Sequence, residues 1–79
     1  MIIENNNDNF TVLINIKIKD FEIKIDRYIK NNDHFCYSFK YYDCTNGSTY
    51  IYFSDNIDEI RKELTSFQLN TFGELAIKI

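Results

Sequence analysis

A chain of 79 residues has room for one domain and one modest core, because a protein this short buries only about 60 to 65% of the surface its unfolded form exposes. Hydrophobic content of 44%, with seven Phe and six Tyr, is too high for a disordered chain and ordinary for a globular one. The net charge of −3 includes no run of five like charges, which argues against a basic nucleic-acid arm and against an acidic tail that mimics DNA phosphates.

Residues 1–40 carry six acids and six bases and residues 41–79 carry six acids and three bases, so the negative excess belongs to the second half. No apolar run is long enough for a signal peptide or approaches the roughly 18 residues of a membrane span, so a cytoplasmic location is expected. The patterns Asn9-Phe10-Thr11 and Asn46-Gly47-Ser48 match a glycosylation acceptor by chance in that setting. Abundant Ile and Asn with no Pro or Trp suggest an AT-rich genome of bacterial or phage type.

Residues 1–9 end in the polar cluster Glu4-Asn5-Asn6-Asn7-Asp8-Asn9, whose side chains compete for backbone hydrogen bonds, so a loose lead-in is expected there. From Phe10 the residues Phe10, Val12, Ile14, Ile16 and Ile18 fall on one face, with Thr11, Asn15, Lys17 and Lys19 on the other, and predict a strand. Phe21, Ile23 and Ile25 repeat the alternation in opposite phase. A two-residue turn at Lys19-Asp20 would set Ile18 against Phe21, Ile16 against Ile23, Ile14 against Ile25 and Lys17 against Glu22. Lys-Asp lacks the Gly or Asn that such a turn favours, so a longer turn or a bulge at Asp20 stays open.

Lys30-Asn31-Asn32-Asp33 reads as a loop. Beyond it Phe35, Tyr37, Phe39 and Tyr41 form the apolar face of a third strand, with His34, Cys36, Ser38, Lys40 and Tyr42 on the other. A fourth strand follows a turn containing Asn46-Gly47. A three-residue loop, Thr45-Asn46-Gly47, would pair Tyr41 with Ile51 and Phe39 with Phe53 and so match apolar to apolar. Ile57, Ile60, Leu64 and Phe67 then recur at i, i+3, i+7 and i+10, and predict an amphipathic helix over Asp55 to Asn70, capped by Ser54 or Asp55. Leu75, Ile77 and Ile79 alternate with Glu74, Ala76 and Lys78 and predict a fifth strand. The expected fold is α+β: one mostly antiparallel five-stranded sheet in the order ββββαβ, with one helix on one face, forming a single domain over residues 1–79.

Cys36 and Cys44, eight residues apart on one strand, are held about 26 Å apart by extended backbone and cannot bridge each other. His34-Phe35-Cys36 is a single His-x-Cys without the second ligand pair of a zinc site. As a base and thiol nucleophile it lacks an orienting third residue and an oxyanion loop. Two glycines form no phosphate cradle of the usual kinds. No catalytic residue, cofactor or metal is therefore expected.

With the three-residue loop, Tyr42 lies opposite Tyr50 and Lys40 opposite Tyr52, on the sheet face away from the helix. His34, Lys40, Tyr42, Tyr50 and Tyr52 are the candidate partner-binding residues, since Tyr offers large contact area at low entropic cost. The expected function is a small non-enzymatic module that occupies another protein's surface. A phage-encoded, anti-CRISPR-like inhibitor of a host defence system, or a bacterial immunity protein, would be of this kind. Alternatives are a single-stranded nucleic-acid-binding domain that stacks bases on the tyrosines, with Lys40 at phosphate, or a structural protein self-associating as a homodimer through its sheet edges.

Overall fold

Period-two alternation builds an antiparallel sheet in this chain, and the one stretch of 3.6-residue periodicity supplies the helix that covers part of it. The computed structural model describes residues 10–31 and 34–78. The lead-in expected over residues 1–9, the loop residues Asn32 and Asp33, and Ile79 lie outside the described residues. Strands β1 (Phe10–Ile18), β2 (Phe21–Asn31), β3 (His34–Asp43) and β4 (Ser48–Ser54) are hydrogen-bonded in the order β1-β2-β3-β4, and helix α1 (Ile57–Thr71) follows.

The first hairpin adopts the register that its apolar residues demand. Ile18 pairs with Phe21, Lys17 with Glu22, Ile16 with Ile23 and Ile14 with Ile25. Lys19 takes the left-handed conformation, φ 54°, which closes the two-residue turn at a steric cost that Gly or Asn would avoid. A register shift between Val12 and Ile14 sets Val12 opposite Asp26 and Phe10 opposite Tyr28. The first half of β1 thereby turns its alternation to the other face, and Phe10 and Val12 leave the face expected for them.

The helix-side core consists of Ile23 and Ile25 from β2, Phe39 from β3, and Ile60 and Leu64 from α1. Fully burying each of these side chains stabilises the fold by roughly 1.5 to 3 kcal/mol. Phe67 extends the core as the hub of an aromatic cluster. Its ring stacks on Tyr41 at 4.2 Å between centroids and meets Phe21, Phe39 and Phe72 edge-on at 5.3 to 5.9 Å. Such pairs add about 0.5 to 1.5 kcal/mol each beyond burial.

The helix begins two residues later than predicted. Asn56, rather than Ser54 or Asp55, is the N-cap: its side-chain oxygen accepts the Asp58 N–H at 2.8 Å, and Ser54 Oγ accepts the Asn56 N–H. Asp58 and Glu59 in the first turn place negative charge at the positive end of the helix dipole. The helix ends at Gly73, φ 76°, whose N–H reaches back to Gln68 and Leu69 carbonyls.

Two expectations about the sheet are corrected. First, it has four strands and the order is ββββα, because residues 75–78 form no strand. The buried side-chain amide of Gln68 takes the place of a neighbouring strand. Its Oε1 accepts the N–H groups of Ala76 and Ile77 at 2.8 Å, and its Nε2 donates to the Ile77 carbonyl at 2.9 Å. The segment after the helix is thus latched to α1, with Ile77 against the core.

Second, the β3–β4 connection is one residue longer than the three-residue loop. Asp43 pairs with Ser48, which leaves Cys44 to Gly47 as the turn. Asp43 Oδ1 accepts both the N–H and the hydroxyl of Thr45, at 3.0 and 2.6 Å. Gly47, φ 74°, donates its N–H to the Asp43 carbonyl. The extra residue slips the register by one, so Tyr41 pairs with Tyr50 and Phe39 with Tyr52, while Lys40 faces Ile51 and Ser38 faces Phe53. A one-residue slip exchanges the two faces of a strand.

Gln68→Leu keeps the side-chain volume and removes the latch. It is expected to cost about 1 to 3 kcal/mol in chemical denaturation. Amide exchange at Ala76 and Ile77 should accelerate far more than exchange in β2 and β3.

Candidate functional site

Helix α1 lies over β3 and β4 on one side of the sheet. The register assigns Asn15 and Lys17, Glu22, Lys24 and Asp26, Ser38, Lys40 and Tyr42, and Thr49, Ile51 and Phe53 to the opposite, uncovered face. This face is not uniform. Around Lys24 and Lys40 it is polar, with a shallow cavity of about 400 Å³ lined by Asn15, Glu22, Lys24, Lys40, Tyr42 and Thr49, while the register brings Phe10, Val12, Tyr28 and Cys36 onto it toward the start of β1. Along β4 it is apolar, with Ile51 49% and Phe53 61% exposed.

The five candidate partner-binding residues are divided by this geometry. Lys40 and Tyr42 lie on the uncovered face as expected, and Tyr42 is 38% exposed. His34 lies at the start of β3, where its Nε2 is 2.9 Å from Asp55 Oδ2 in an exposed pair. Tyr50 and Tyr52 lie on the helix side. The Tyr50 hydroxyl donates to Glu63 Oε1 at 3.0 Å and the Tyr52 hydroxyl donates to Glu59 Oε1 at 3.2 Å. Of the expected trio of phenol rings on the open face, Tyr42 is the one that lies there.

Desolvation by the helix, reinforced by the glutamates that accept their hydrogen bonds, raises both phenols above the ordinary tyrosine range. Tyr50 keeps 38% of its surface exposed, and the two carboxylates stand over β4, the outermost strand of the sheet. Among the described residues Glu59 has Lys62 at 4.0 Å, and no cation lies within ion-pair distance of Glu63.

His34 and Cys36 do not form a nucleophile and base in reach of a substrate. Asp55 orients the imidazole, a third member not foreseen from the spacing. Cys36, however, is only 5% exposed and lies directly across from Tyr28 on β2. Cys44 is exposed, and its thiol donates to Glu22 Oε2 at 3.6 Å; burial first and then Glu22 raise its pKa, which disfavours the nucleophilic thiolate. Among the described residues no three His, Cys, Asp or Glu side chains group as a metal site. No helix among them is long and apolar enough to cross a membrane.

Spacing alone missed Ile51 and Phe53 because face assignment rested on matching apolar residues across the hairpin. The signal that would have found them is Asp43-Cys44-Thr45, an Asx-turn pattern directly before Asn46-Gly47. Comparison with protein-family models, with curated proteins and with solved structures returned no match.

Asp26 is a desolvated carboxylate on the uncovered face. Its Oδ1 is buried without a hydrogen-bond partner, and desolvation raises its pKa against the opposing pull of Lys24, Lys40 and Ser38. Between the usual carboxylate pKa of about 4 and the raised folded value, the folded state holds a proton that the unfolded state has released, so stability falls as pH rises through that window. Asp26→Asn removes the desolvated charge and should therefore stabilise the protein at pH 7, seen as a raised denaturation midpoint. The advantage should vanish in denaturation curves recorded below about pH 4, where Asp26 is protonated in both states.

Proposed function

We propose that this chain is a non-enzymatic module that binds another protein in a stoichiometric complex, through the apolar margin of its uncovered sheet face. The single observation that carries this reading is the pair Ile51 and Phe53, side by side at i and i+2 on β4 and 49% and 61% exposed. Two large apolar side chains held outward on a rigid strand lose water-exposed surface only when something else covers them. Aromatic anchors beside polar groups, here Lys40 and Tyr42, are the usual composition of protein interfaces. An inhibitor or an immunity protein acts by such occupation of a partner's surface, and the small size and AT-rich composition suit a phage or bacterial accessory protein of that kind.

The test pairs the native chain with the double variant Ile51→Ser/Phe53→Ser. Both substitutions lie on exposed positions and should leave the denaturation midpoint nearly unchanged. A protein captured by the native chain from the cells that encode it, then purified, is expected to form a complex of fixed stoichiometry and to lose about 30-fold or more in affinity for the variant, as for truncation of two interface anchors. Equal affinity for both chains, or action on the captured protein at far below one equivalent, would overturn the reading.

A further inference from the structure

The two outer strands of the sheet are finished in different ways. An outer strand offers unpaired backbone N–H and C=O groups to any extended chain, and proteins usually blunt such strands with charge, Pro or a bulge. Strand β1 has the register shift at Val12/Ile14 and carries Lys17. Strand β4, Ser48-Thr49-Tyr50-Ile51-Tyr52-Phe53-Ser54, contains no charged residue, no Pro and no Gly, and its register with β3 is unbroken over all seven pairs. It is an uncharged margin without a break in register.

We infer that β4 accepts a strand from a partner protein, added antiparallel or parallel to its outer side, and that this strand is apolar on one face and basic on the other. The inference rests on the protein-binding reading above and specifies its mode. The apolar face of the incoming strand meets Ile51 and Phe53 on the uncovered side. Its other face meets the helix side, where Glu59 and Glu63 stand over Tyr52 and Tyr50. Glu63 has no cation within ion-pair distance among the described residues, and Glu59 has only the exposed Lys62 at 4.0 Å. Lys or Arg at alternate positions supplies the missing counter-charge, whereas Asp or Glu there is repelled.

The same charges argue against a second copy as the occupant. A two-fold pairing of β4 with itself centred on Ile51 sets Ile51 against Ile51 but Phe53 against Thr49, and it sets Tyr50 opposite Tyr52 of the other copy. Glu63 of each chain then lies near Glu59 of the other, and four carboxylates crowd one seam. Like charges so placed destabilise the pairing.

Isotope-labelled full-length protein can be titrated with two synthetic seven-residue peptides that alternate Val or Ile with Lys in one and with Glu in the other. The Lys peptide is expected to slow amide exchange at alternate β4 residues, those whose N–H points away from β3, and to bind about tenfold or more tighter than the Glu peptide at low salt. Glu59→Gln/Glu63→Gln should bring the two peptides within about threefold of each other. Absence of β4 protection with either peptide, or equal binding of both, would sink the strand-addition mode. If the Ile51→Ser/Phe53→Ser variant still loses its natural partner in that case, the binding face stands and only the mode falls. Protection of β4 that appears without peptide and grows with protein concentration, together with a dimer mass on sizing, would assign the margin to a second copy and overturn the inference.

Discussion

The carboxylate of Asp43 accepts hydrogen bonds from both the N–H and the hydroxyl of Thr45, and this holds the β3–β4 connection at four residues. Everything outward of β3 follows from that length. With four residues in the turn, Tyr50 and Tyr52 point toward α1 and Ile51 and Phe53 point away from it; with three, the assignment would be reversed. The hydrogen bonds from Thr45 and Asn46 also keep the Asp43 carboxyl below its ordinary range, so the turn is held by a charged acceptor at neutral pH. The Cys44 N–H, bonded to the Asp20 carbonyl at 2.8 Å, ties this turn to the one that joins β1 and β2.

The helix has two tasks, and they use different residues. Ile60 and Leu64 fill the core between β2 and β3, while Glu59 and Glu63, one step around the helix, receive the phenols of β4. The first set supplies most of the stabilisation because apolar burial scales with area. The second orients β4 and sets the sign of the charge along its outer side. Gln68 completes the helix side by satisfying backbone groups of the segment after Gly73, which leaves that segment no need of a place in the sheet.

The uncovered face has a polar centre around Lys24 and Lys40, with apolar groups on either side of it: Phe10 and Val12 on β1, and Ile51 and Phe53 on β4. Lys24 and Lys40 pair directly across β2 and β3, an arrangement of like charges that Asp26 and Glu22 on either side offset. The polar centre is therefore suited to water, and the pair on β4 is not. The proposed strand addition therefore rests on that pair and on the uninterrupted outer side of β4 rather than on the face as a whole.

The amphipathic stripe Ile57, Ile60, Leu64, Phe67, the first hairpin with its Lys19-Asp20 turn, the aromatic face of β3 and the α+β class were all legible in the sequence, because each depends on periodicity within ten or so neighbouring residues. Cys36 and Cys44 as free thiols also followed from spacing along one strand. Three features were decided only in three dimensions. The bulge in β1 moved Phe10 and Val12 to the other face, the Asp43 turn exchanged the faces of β4, and the Gln68 latch turned an alternating tail that reads as a strand into a segment held by one side chain. Alternation states that a stretch has two faces but not which of them looks inward. That choice rests on a single hydrogen-bonded residue at a turn or on one side chain from a distant helix, and neither leaves a period in the sequence.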